Sequence, residues 1–306
     1  MKYPEIIKSI CDELSIEHTV VSENYGIVML KKGNKRQYIT GVKFPNNDNA
    51  VGTILDFKFA TFDVLKHYGI PVCEHKIFYG NHNDSDYAKG CNSYEDLVQY
   101  FKENDCKIVV KVTNGSCGND VYKIENINEL QAAYKNFSDT YAYVVSPFYD
   151  IVTEYRSIVV NGGIKLMYGK VRPIVVGDGI KTIRELLIEF NPNYFSIIDL
   201  SDEKYSNVLK QGQKFEYGWK FNLSQGATLE RNIDGNIRKK ISDIVTETAS
   251  KLNIKFASID TILTSDGKIR VLEINSGVMM SNFIEICEDG EVVARRIYKE
   301  AIKSMF

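Results

Sequence analysis

Three potential metal ligands lie in the arms of one predicted β-hairpin near the end of the chain. The hairpin spans residues 256–275 around an Asp-Gly turn at 266–267. If these two residues are the centre of a type I′ turn, Asp260 lies directly opposite Glu273. Asn275 shares their face, because side chains alternate along a strand. Two carboxylates opposed at about 5 Å repel by about 3 kcal/mol at an effective dielectric of 20, so the pair requires compensation.

The three side chains offer two carboxylates and an amide oxygen. This hard-oxygen set suits Mg²⁺, which takes its remaining ligands from water and substrate phosphates. A proton or an arginine could also compensate the carboxylates, and an exposed hairpin with charged arms needs no metal. The hairpin alone therefore leaves a magnesium site and an exposed charged hairpin as alternatives.

A lysine precedes a glycine-bearing polar loop in the middle of the chain. Lys111 belongs to a short apolar strand predicted over 107–112, and Gly115 and Gly118 follow it. Such glycines let backbone N–H groups converge on an anion, to which the lysine adds positive charge. A hairpin with two turn glycines is the alternative. The spacing excludes a P-loop and a Rossmann dinucleotide motif.

A second hairpin, with an Asn-Gly turn, carries three cations. With a three-residue loop at 161–163, Arg156, Lys170 and Arg172 share one strand face, which would suit anionic substrate groups. With a two-residue loop, Arg156 and Lys170 fall on opposite faces. A solvated face with a weak Glu154 to Lys170 ion pair is the further alternative.

The whole-chain numbers favour a cytoplasmic protein. The 306 residues carry a net charge of −2, so the basic field that nucleic acids require is missing. Six cysteines without a CxxC pair indicate reduced thiols. We expect no signal peptide and no membrane span, because no run approaches about 18 apolar residues. The four histidines show no zinc-site spacing and are interpreted as packing or surface groups.

Helix and strand signals alternate along the chain. Turn-rich sequence at 44–49 and the start of a strand near 140 mark two boundaries. We therefore predict three domains: 1–50, a small α/β domain; 51–140, a central lobe; and 141–306, a C-terminal lobe. Helices are predicted over 4–14, 55–68, 93–103 and 128–136, and strands over 72–78 and 107–112.

Six ordered motifs occur between residues 55 and 283. They are Asp56-Phe-Lys58 with Gly69-Ile-Pro-Val; Val109-Val-Lys111 with its glycine loop; Glu154-Tyr-Arg156; the segment 170–186; the segment 222–228; and Asp260 with Glu273-Ile-Asn275-Ser-Gly277. Together they resemble the ATP-grasp superfamily, most closely the ATP-grasp modules of cyanophycin synthetases and of bifunctional glutathione synthetases.

The resemblance implies a fold and a reaction. The fold is α/β (of the α+β type): an ATP-grasp fold whose two α/β lobes sandwich ATP, with the small N-terminal α/β domain added. The reaction is an ATP- and Mg²⁺-dependent ligation in which a small-molecule carboxylate, of an amino acid or short peptide, becomes an acyl phosphate and then joins an amine. Two Mg²⁺ ions are implied, with Mn²⁺ as a substitute, and so is a homodimer.

The resemblance also assigns roles to individual residues. The nucleotide would contact Lys58, Lys111, Gly115, Ser116, Gly118, Val145, Ser146 and Phe148. The metal ligands would be Asp260, Glu273 and Asn275. Arg156, Lys170 and Arg172 would stabilise the transferred phosphoryl group. Asn222, Ser224 and Gly226 would belong to a loop that closes over it.

The sequence departs from the family pattern at several positions. Ser146 replaces the usual hinge glutamate, Asp120 replaces the last loop glycine, and the proline expected after Asn275 is missing. Ser146 and Asp120 suggest an alternative function, a nucleotide-binding protein without ligase activity. An ATP-grasp phosphotransferase is a further alternative.

Overall fold

The computed structural model describes residues 2–80, 93–113, 121–190, 200–223 and 226–306. Its helices are α1 (Tyr3–Glu13), α2 (Asn49–Asp56), α3 (Lys58–His67), α4 (Tyr94–Glu103), α5 (Ile127–Phe137), α6 (Ile183–Phe190), α7 (Gly235–Lys251), α8 (Ser281–Ile286) and α9 (Gly290–Lys303), with a 3₁₀ helix at Glu203–Ser206. Its strands are β1 (Glu17–Ser22), β2 (Ile27–Lys32), β3 (Lys35–Thr40), β4 (Lys76–Tyr79), β5 (Ile108–Val112), β6 (Val121–Ile124), β7 (Ala142–Pro147), β8 (Ile151–Val160), β9 (Gly163–Val171), β10 (Ile174–Val176), β11 (Lys214–Glu216), β12 (Thr228–Glu230), β13 (Phe256–Thr264) and β14 (Ile269–Asn275).

The chain forms two compact units. The first comprises Met1–Met167 and Asp234–Phe306, and the second comprises Tyr168–Ile233. Antiparallel sheets combined with helices make this an α+β architecture, as the sequence predicted. The division into three domains remains a prediction. None of the described helices combines the length and the apolar character that crossing a bilayer demands.

In the first unit, a four-stranded sheet with order β4-β7-β5-β6 packs against α4 and α5. Its core is a cluster of apolar side chains that includes Phe78, Val110 and Tyr143. Helix α4 begins as predicted, because the Ser93 hydroxyl accepts a hydrogen bond from the Asp96 N–H while the Asp96 carboxylate accepts from the Ser93 N–H. This sheet presents the strand that carries the predicted nucleotide lysine.

A second sheet of the first unit contains β8, β13 and β14, with β13 in the middle. Strand β13 is buried along almost its whole length, which is typical of a central strand. Strands β1, β2 and β3 form a separate antiparallel sheet in the N-terminal segment. Helix α1 packs beside β1 and α9 through Ile6, Ile7, Ile10 and Cys11.

The turn between β8 and β9 contains two residues. Asn161 and Gly162 both have positive φ, at 51° and 76°, which is the signature of a type I′ turn. This is the two-residue loop, one of the two alternatives that the sequence left open. The second unit begins within β9 and has its own apolar core around Val175 and Leu187.

Candidate active site

The hairpin of β13 and β14 opposes Asp260 and Glu273 directly. Asn275 follows two positions later on β14, and its Nδ2 donates a hydrogen bond of 3.2 Å to Glu273 Oε1. The predicted opposition and the predicted shared face are both confirmed. The three oxygen-bearing groups assigned to a metal by resemblance thus lie together on one part of the sheet.

The turn that joins these strands differs from the prediction. Thr264 N–H donates to the Lys268 carbonyl, so three residues, 265–267, form the loop rather than two. This loop shifts the ladder by one position, and Thr261 pairs with Val271. A bulge at Leu272 restores the register, since Leu272 lies between the partners of Thr261 and Asp260. The predicted type I′ turn is therefore not present. Asp260 and Glu273 nevertheless lie opposite each other because the bulge restores the register.

Arg156 compensates the negative charge of Asp260. It lies opposite Asp260 on β8, and its Nε and Nη2 donate to the two carboxylate oxygens at 2.7 and 2.6 Å. The Asp260 side chain is 1% exposed and the Arg156 side chain 23%. Such a bidentate pair is strong and directional, because the planar guanidinium matches the carboxylate. The structure thus uses the arginine that sequence reasoning named as one possible compensation.

Lys58 forms an ion pair with Glu273. Its Nζ lies 3.2 Å from Glu273 Oε2. Burial alone would raise the pKa of Glu273, but Lys58, then Lys111, the Asn275 amide and Arg156 lower it to about 2. Glu273 is therefore a carboxylate held ionised by surrounding cations.

A helix break positions Lys58. The sequence predicted one helix over 55–68, but the structure has two, separated by Phe57 in an extended conformation with φ −110° and ψ 113°. Asp56, at the end of α2, accepts a hydrogen bond of 2.6 Å from the Ser276 hydroxyl, just beyond β14. Lys58 begins α3 and contacts Glu273. Contacts with distant residues thus accompany the break, and no local breaker such as glycine or proline is present at 56–58.

Lys111 lies on β5 and is almost completely buried. Its Nζ lies 2.7 Å from Nε2 of His75. Burial lowers the pKa of Lys111 to about 8, and Lys58 acts in the same direction, whereas Glu273 and Glu154 counteract both. A lysine with a depressed pKa beside paired cations and carboxylates is typical of functional sites.

Three of the predicted nucleotide contacts lie on or just after β7. Val145 and Ser146 are buried and pair with Val110 and Val109 of β5. The Phe148 N–H donates to the Lys107 carbonyl at 3.1 Å. The Phe148 ring has the ammonium groups of Lys107 and Lys123 each 4.7 Å from its centroid. These residues continue the sheet that carries Lys111.

The second unit contains further predicted residues. Lys170 is buried on β9 and pairs with Leu229 of β12. Arg172 Nε lies 3.0 Å from Glu216 Oε1, and its guanidinium lies 5.2 Å from the centroid of the Phe221 ring.

In the second unit, a hydrogen bond joins Asn222 to Ala227. The Ala227 N–H donates to the Asn222 carbonyl at 3.1 Å. Gly226 adopts φ 91°, in the region that favours glycine. Ser224 lies outside the described residues, as do Gly115, Ser116, Gly118 and Asp120 of the phosphate loop.

Sequence reasoning missed one residue of this cluster. His75 was interpreted as a packing or surface group, yet it contacts the predicted nucleotide lysine. No spacing signal links the two, because 36 positions separate them. His75 directly precedes β4, and Lys111 lies on β5. The two segments come together because β4 and β5 each pair with β7 in one sheet.

The donor set fits a hard divalent cation. The two opposed carboxylates and the neighbouring amide of Asn275 are the oxygen ligands that Mg²⁺ accepts. Their negative charge is balanced by Arg156 and Lys58, which shows that the pair attracts cations. Among the described residues, no three His, Cys, Asp or Glu side chains gather as a metal cluster. Asn275 is accordingly needed to complete a three-ligand set.

Several known proteins are similar to this chain. The glutathione biosynthesis bifunctional protein GshAB of Streptococcus mutans serotype c is 24% identical over 236 residues, which are 69% of this chain and 29% of that protein. The solved bifunctional glutathione synthetase of Pasteurella multocida is 16% identical over 96% of this chain and 42% of its own, with a TM-score of 0.53. The D-alanine–D-alanine ligase of Bacillus anthracis is 11% identical over 87% of this chain and 72% of its own, with a TM-score of 0.57. Its complex with ATP gives a TM-score of 0.52.

These likenesses show that the chain has the ATP-grasp fold, as the sequence predicted. No protein-family model matches the chain. The chain spans less than a third of the length of the S. mutans protein and less than half of the P. multocida enzyme.

Proposed function

We propose that the protein is an ATP- and Mg²⁺-dependent ligase that joins a carboxylate to an amine, through an acyl phosphate, on an amino acid or a short peptide. The observation that carries the proposal is the cluster of Asp260, Glu273 and Asn275 with Lys58, Lys111 and Arg156 around it. Similarity to glutathione synthetases and to D-alanine–D-alanine ligase, the latter solved with ATP, supports the choice of reaction.

The cluster has the charges that phosphoryl transfer needs. Lys58 and Lys111 are cations close to the carboxylates, and both act on the pKa of Glu273. Phosphoryl transfer is catalysed mainly by positioning and by neutralising charge on the phosphate oxygens, so no protein nucleophile is required. When bound, Mg²⁺ would neutralise the terminal phosphates of ATP. We propose Asp260, Glu273 and Asn275 as its ligands, for two ions, with Mn²⁺ as a substitute.

The proposed reaction has two steps. A substrate carboxylate oxygen attacks the γ-phosphorus of ATP, the bond to the β-phosphate oxygen breaks, and ADP leaves. The amine then attacks the acyl carbon, the carbon–oxygen bond to phosphate breaks, and the amine loses a proton as the amide forms. We propose that Arg156, Lys170 and Arg172 stabilise the phosphoryl and acyl-phosphate groups, and that Asn222, Ser224 and Gly226 close over them.

Binding of ATP would rearrange the charges around the metal ligands. Arg156 forms an ion pair with Asp260, and Lys58 forms one with Glu273. Asp260 and Glu273 would hold the divalent cation, and we propose that Arg156 and Lys58 would then contact phosphate. We propose Val145, Ser146 and Phe148 as base and ribose contacts, with Gly115, Ser116 and Gly118 as phosphate contacts. The proposed location is the cytoplasm, which supplies ATP and keeps cysteines reduced.

The test is a screen of carboxylate and amine pairs with the full chain, ATP and Mg²⁺. Phosphate release is measured, and mass spectrometry identifies the products. An amide with ADP and phosphate supports the ligase. A phosphorylated product without free phosphate would indicate the phosphotransferase, and ATP binding without turnover in any pair would indicate a nucleotide-binding protein.

Matched variants connect the activity to the cluster. Asp260→Asn and Glu273→Gln should abolish phosphate release while a folded circular dichroism spectrum is retained. Asp243→Asn is the control, because Asp243 forms an exposed ion pair with Lys239 on the surface of α7, and such pairs contribute little to stability. Full activity in both cluster variants would discard the metal assignment.

A further inference from the structure

The hydrogen bond between Lys111 and His75 defines the protonation of the ring. The ammonium of Lys111 can only donate, so Nε2 of His75, 2.7 Å away, accepts. Nδ1 of the same ring lies 3.0 Å from the Cys73 carbonyl oxygen, which can only accept, so Nδ1 carries the hydrogen. Both contacts require the same neutral tautomer. Burial, with Lys111 and Lys58, lowers the pKa of His75 well below its usual value and supports a neutral ring.

A neutral acceptor has a specific electrostatic consequence. It holds an ammonium group in place without cancelling its charge, whereas a carboxylate in the same position would neutralise it. Lys58 illustrates the second case, because its Nζ contacts the Glu273 carboxylate. Lys111 and His75 are both buried, at 8% and 3% exposure.

The backbone before His75 connects the His75 and Lys111 pair to the hairpin of β13 and β14. The Cys73 N–H donates to the Val271 carbonyl at 2.8 Å, and Val271 belongs to the strand that carries Glu273. The Cys73 carbonyl in turn holds Nδ1 of His75. One chain of contacts thus runs from β14 through Cys73 and His75 to the Lys111 ammonium, and it relates the position of the lysine to that of the carboxylates.

We propose that His75 is a positioning residue that holds the ammonium of Lys111, with its full positive charge, toward the phosphate groups of the nucleotide. The inference rests on the proposed function, since it takes Lys111 as a nucleotide lysine. It predicts that the acceptor at position 75 must be neutral as well as present. A merely structural role would require only that the volume of the ring be filled.

The experiment measures the dissociation constant of ATP with Mg²⁺ by calorimetry on the native chain and on single-residue variants of it. His75→Leu removes the acceptor and should weaken binding about 10- to 100-fold, as expected for a lost hydrogen bond to a charged group. His75→Glu supplies an acceptor that cancels the charge and should weaken binding to a similar extent. His75→Gln keeps a neutral acceptor and should bind within about 3-fold of the native protein. His67→Leu, at an exposed position of α3, is the control and should not change binding.

Equal binding by the Leu, Gln and native proteins would overturn the inference. Lys111→Met separates this failure from failure of the proposed function. If Lys111→Met weakens ATP binding and the His75 variants do not, only the role of His75 is wrong. If the native protein binds no ATP, the proposed function fails as well.

A second measurement reads the protonation of the ring in the native protein and uses one variant only to assign the signals. Nitrogen-15 spectra of histidine-labelled native protein report the tautomer of each ring, and His75→Gln identifies the His75 signals by their loss. A neutral ring protonated at Nδ1 supports the inference. A ring protonated at Nε2, or at both nitrogens, would contradict the hydrogen bond on which it stands.

Discussion

Replacing Arg156 by methionine should strongly destabilise the protein in the absence of divalent cations. The Asp260 carboxylate is 1% exposed and accepts two hydrogen bonds from the guanidinium, and it opposes a second carboxylate, Glu273, on the next strand. Methionine fills much of the space but supplies no charge. Breaking a buried ion pair by removing one partner costs about 3–5 kcal/mol, because the other charge stays buried. We expect the free energy of unfolding to fall by that amount.

Magnesium should reverse part of this loss. Once the guanidinium is removed, a divalent cation has freer access to Asp260 and Glu273 and binds the folded chain more tightly than the unfolded one. Saturation at about 100 times the dissociation constant would return about 2.7 kcal/mol. The native protein should gain less, since Arg156 competes with the metal for Asp260. Denaturation by urea, followed by circular dichroism with and without excess Mg²⁺, measures both effects.

Two variants define the comparison. Arg295→Met removes an arginine from a partly exposed pair with Glu13, whose side chains are 30% and 42% exposed, and should cost less than about 1 kcal/mol. Arg156→Met combined with Asp260→Asn should recover much of the lost stability, because no buried charge remains. The reasoning is refuted if Arg156→Met costs no more than Arg295→Met, or if Mg²⁺ stabilises the Arg156→Met and native proteins equally.

Three further predictions follow from individual side chains. The kcat/KM for ATP should fall as the pH rises above about 8, because Lys111 has a pKa of about 8 and loses its charge, whereas Lys111→Arg should keep its charge at higher pH. Glu273, whose pKa is lowered from 4.5 to about 2, contributes stability that is present above pH 4.5 and lost as the pH falls through about 2. Glu273→Gln should therefore cost about 2–3 kcal/mol at neutral pH and flatten the acid-denaturation curve between these values. Tyr298→Phe should lower the free energy of unfolding by about 1–3 kcal/mol in thermal melts, because the hydroxyl accepts from the Met280 N–H and donates to the Val278 carbonyl.

The order of the motifs was sufficient to predict the ATP-grasp fold, and local signals predicted many of its elements. The Ser93 and Asp96 pair indicated where α4 begins, because a capping box involves residues three positions apart. Alternation along a strand placed Glu273 and Asn275 on one face, since that face depends only on the backbone period. Such features are encoded by near neighbours, which is why the sequence alone determined them.

Other features were decided only by the tertiary structure. The bulge at Leu272 sets the final register of the hairpin, and a bulge depends on how both strands pack rather than on the turn that joins them. Asp260 meets Arg156 across 104 positions and Lys111 meets His75 across 36, because sheet order brings those strands together. Which distant side chains neutralise or hold one another is a property of packing in three dimensions, and no local pattern in the chain records it.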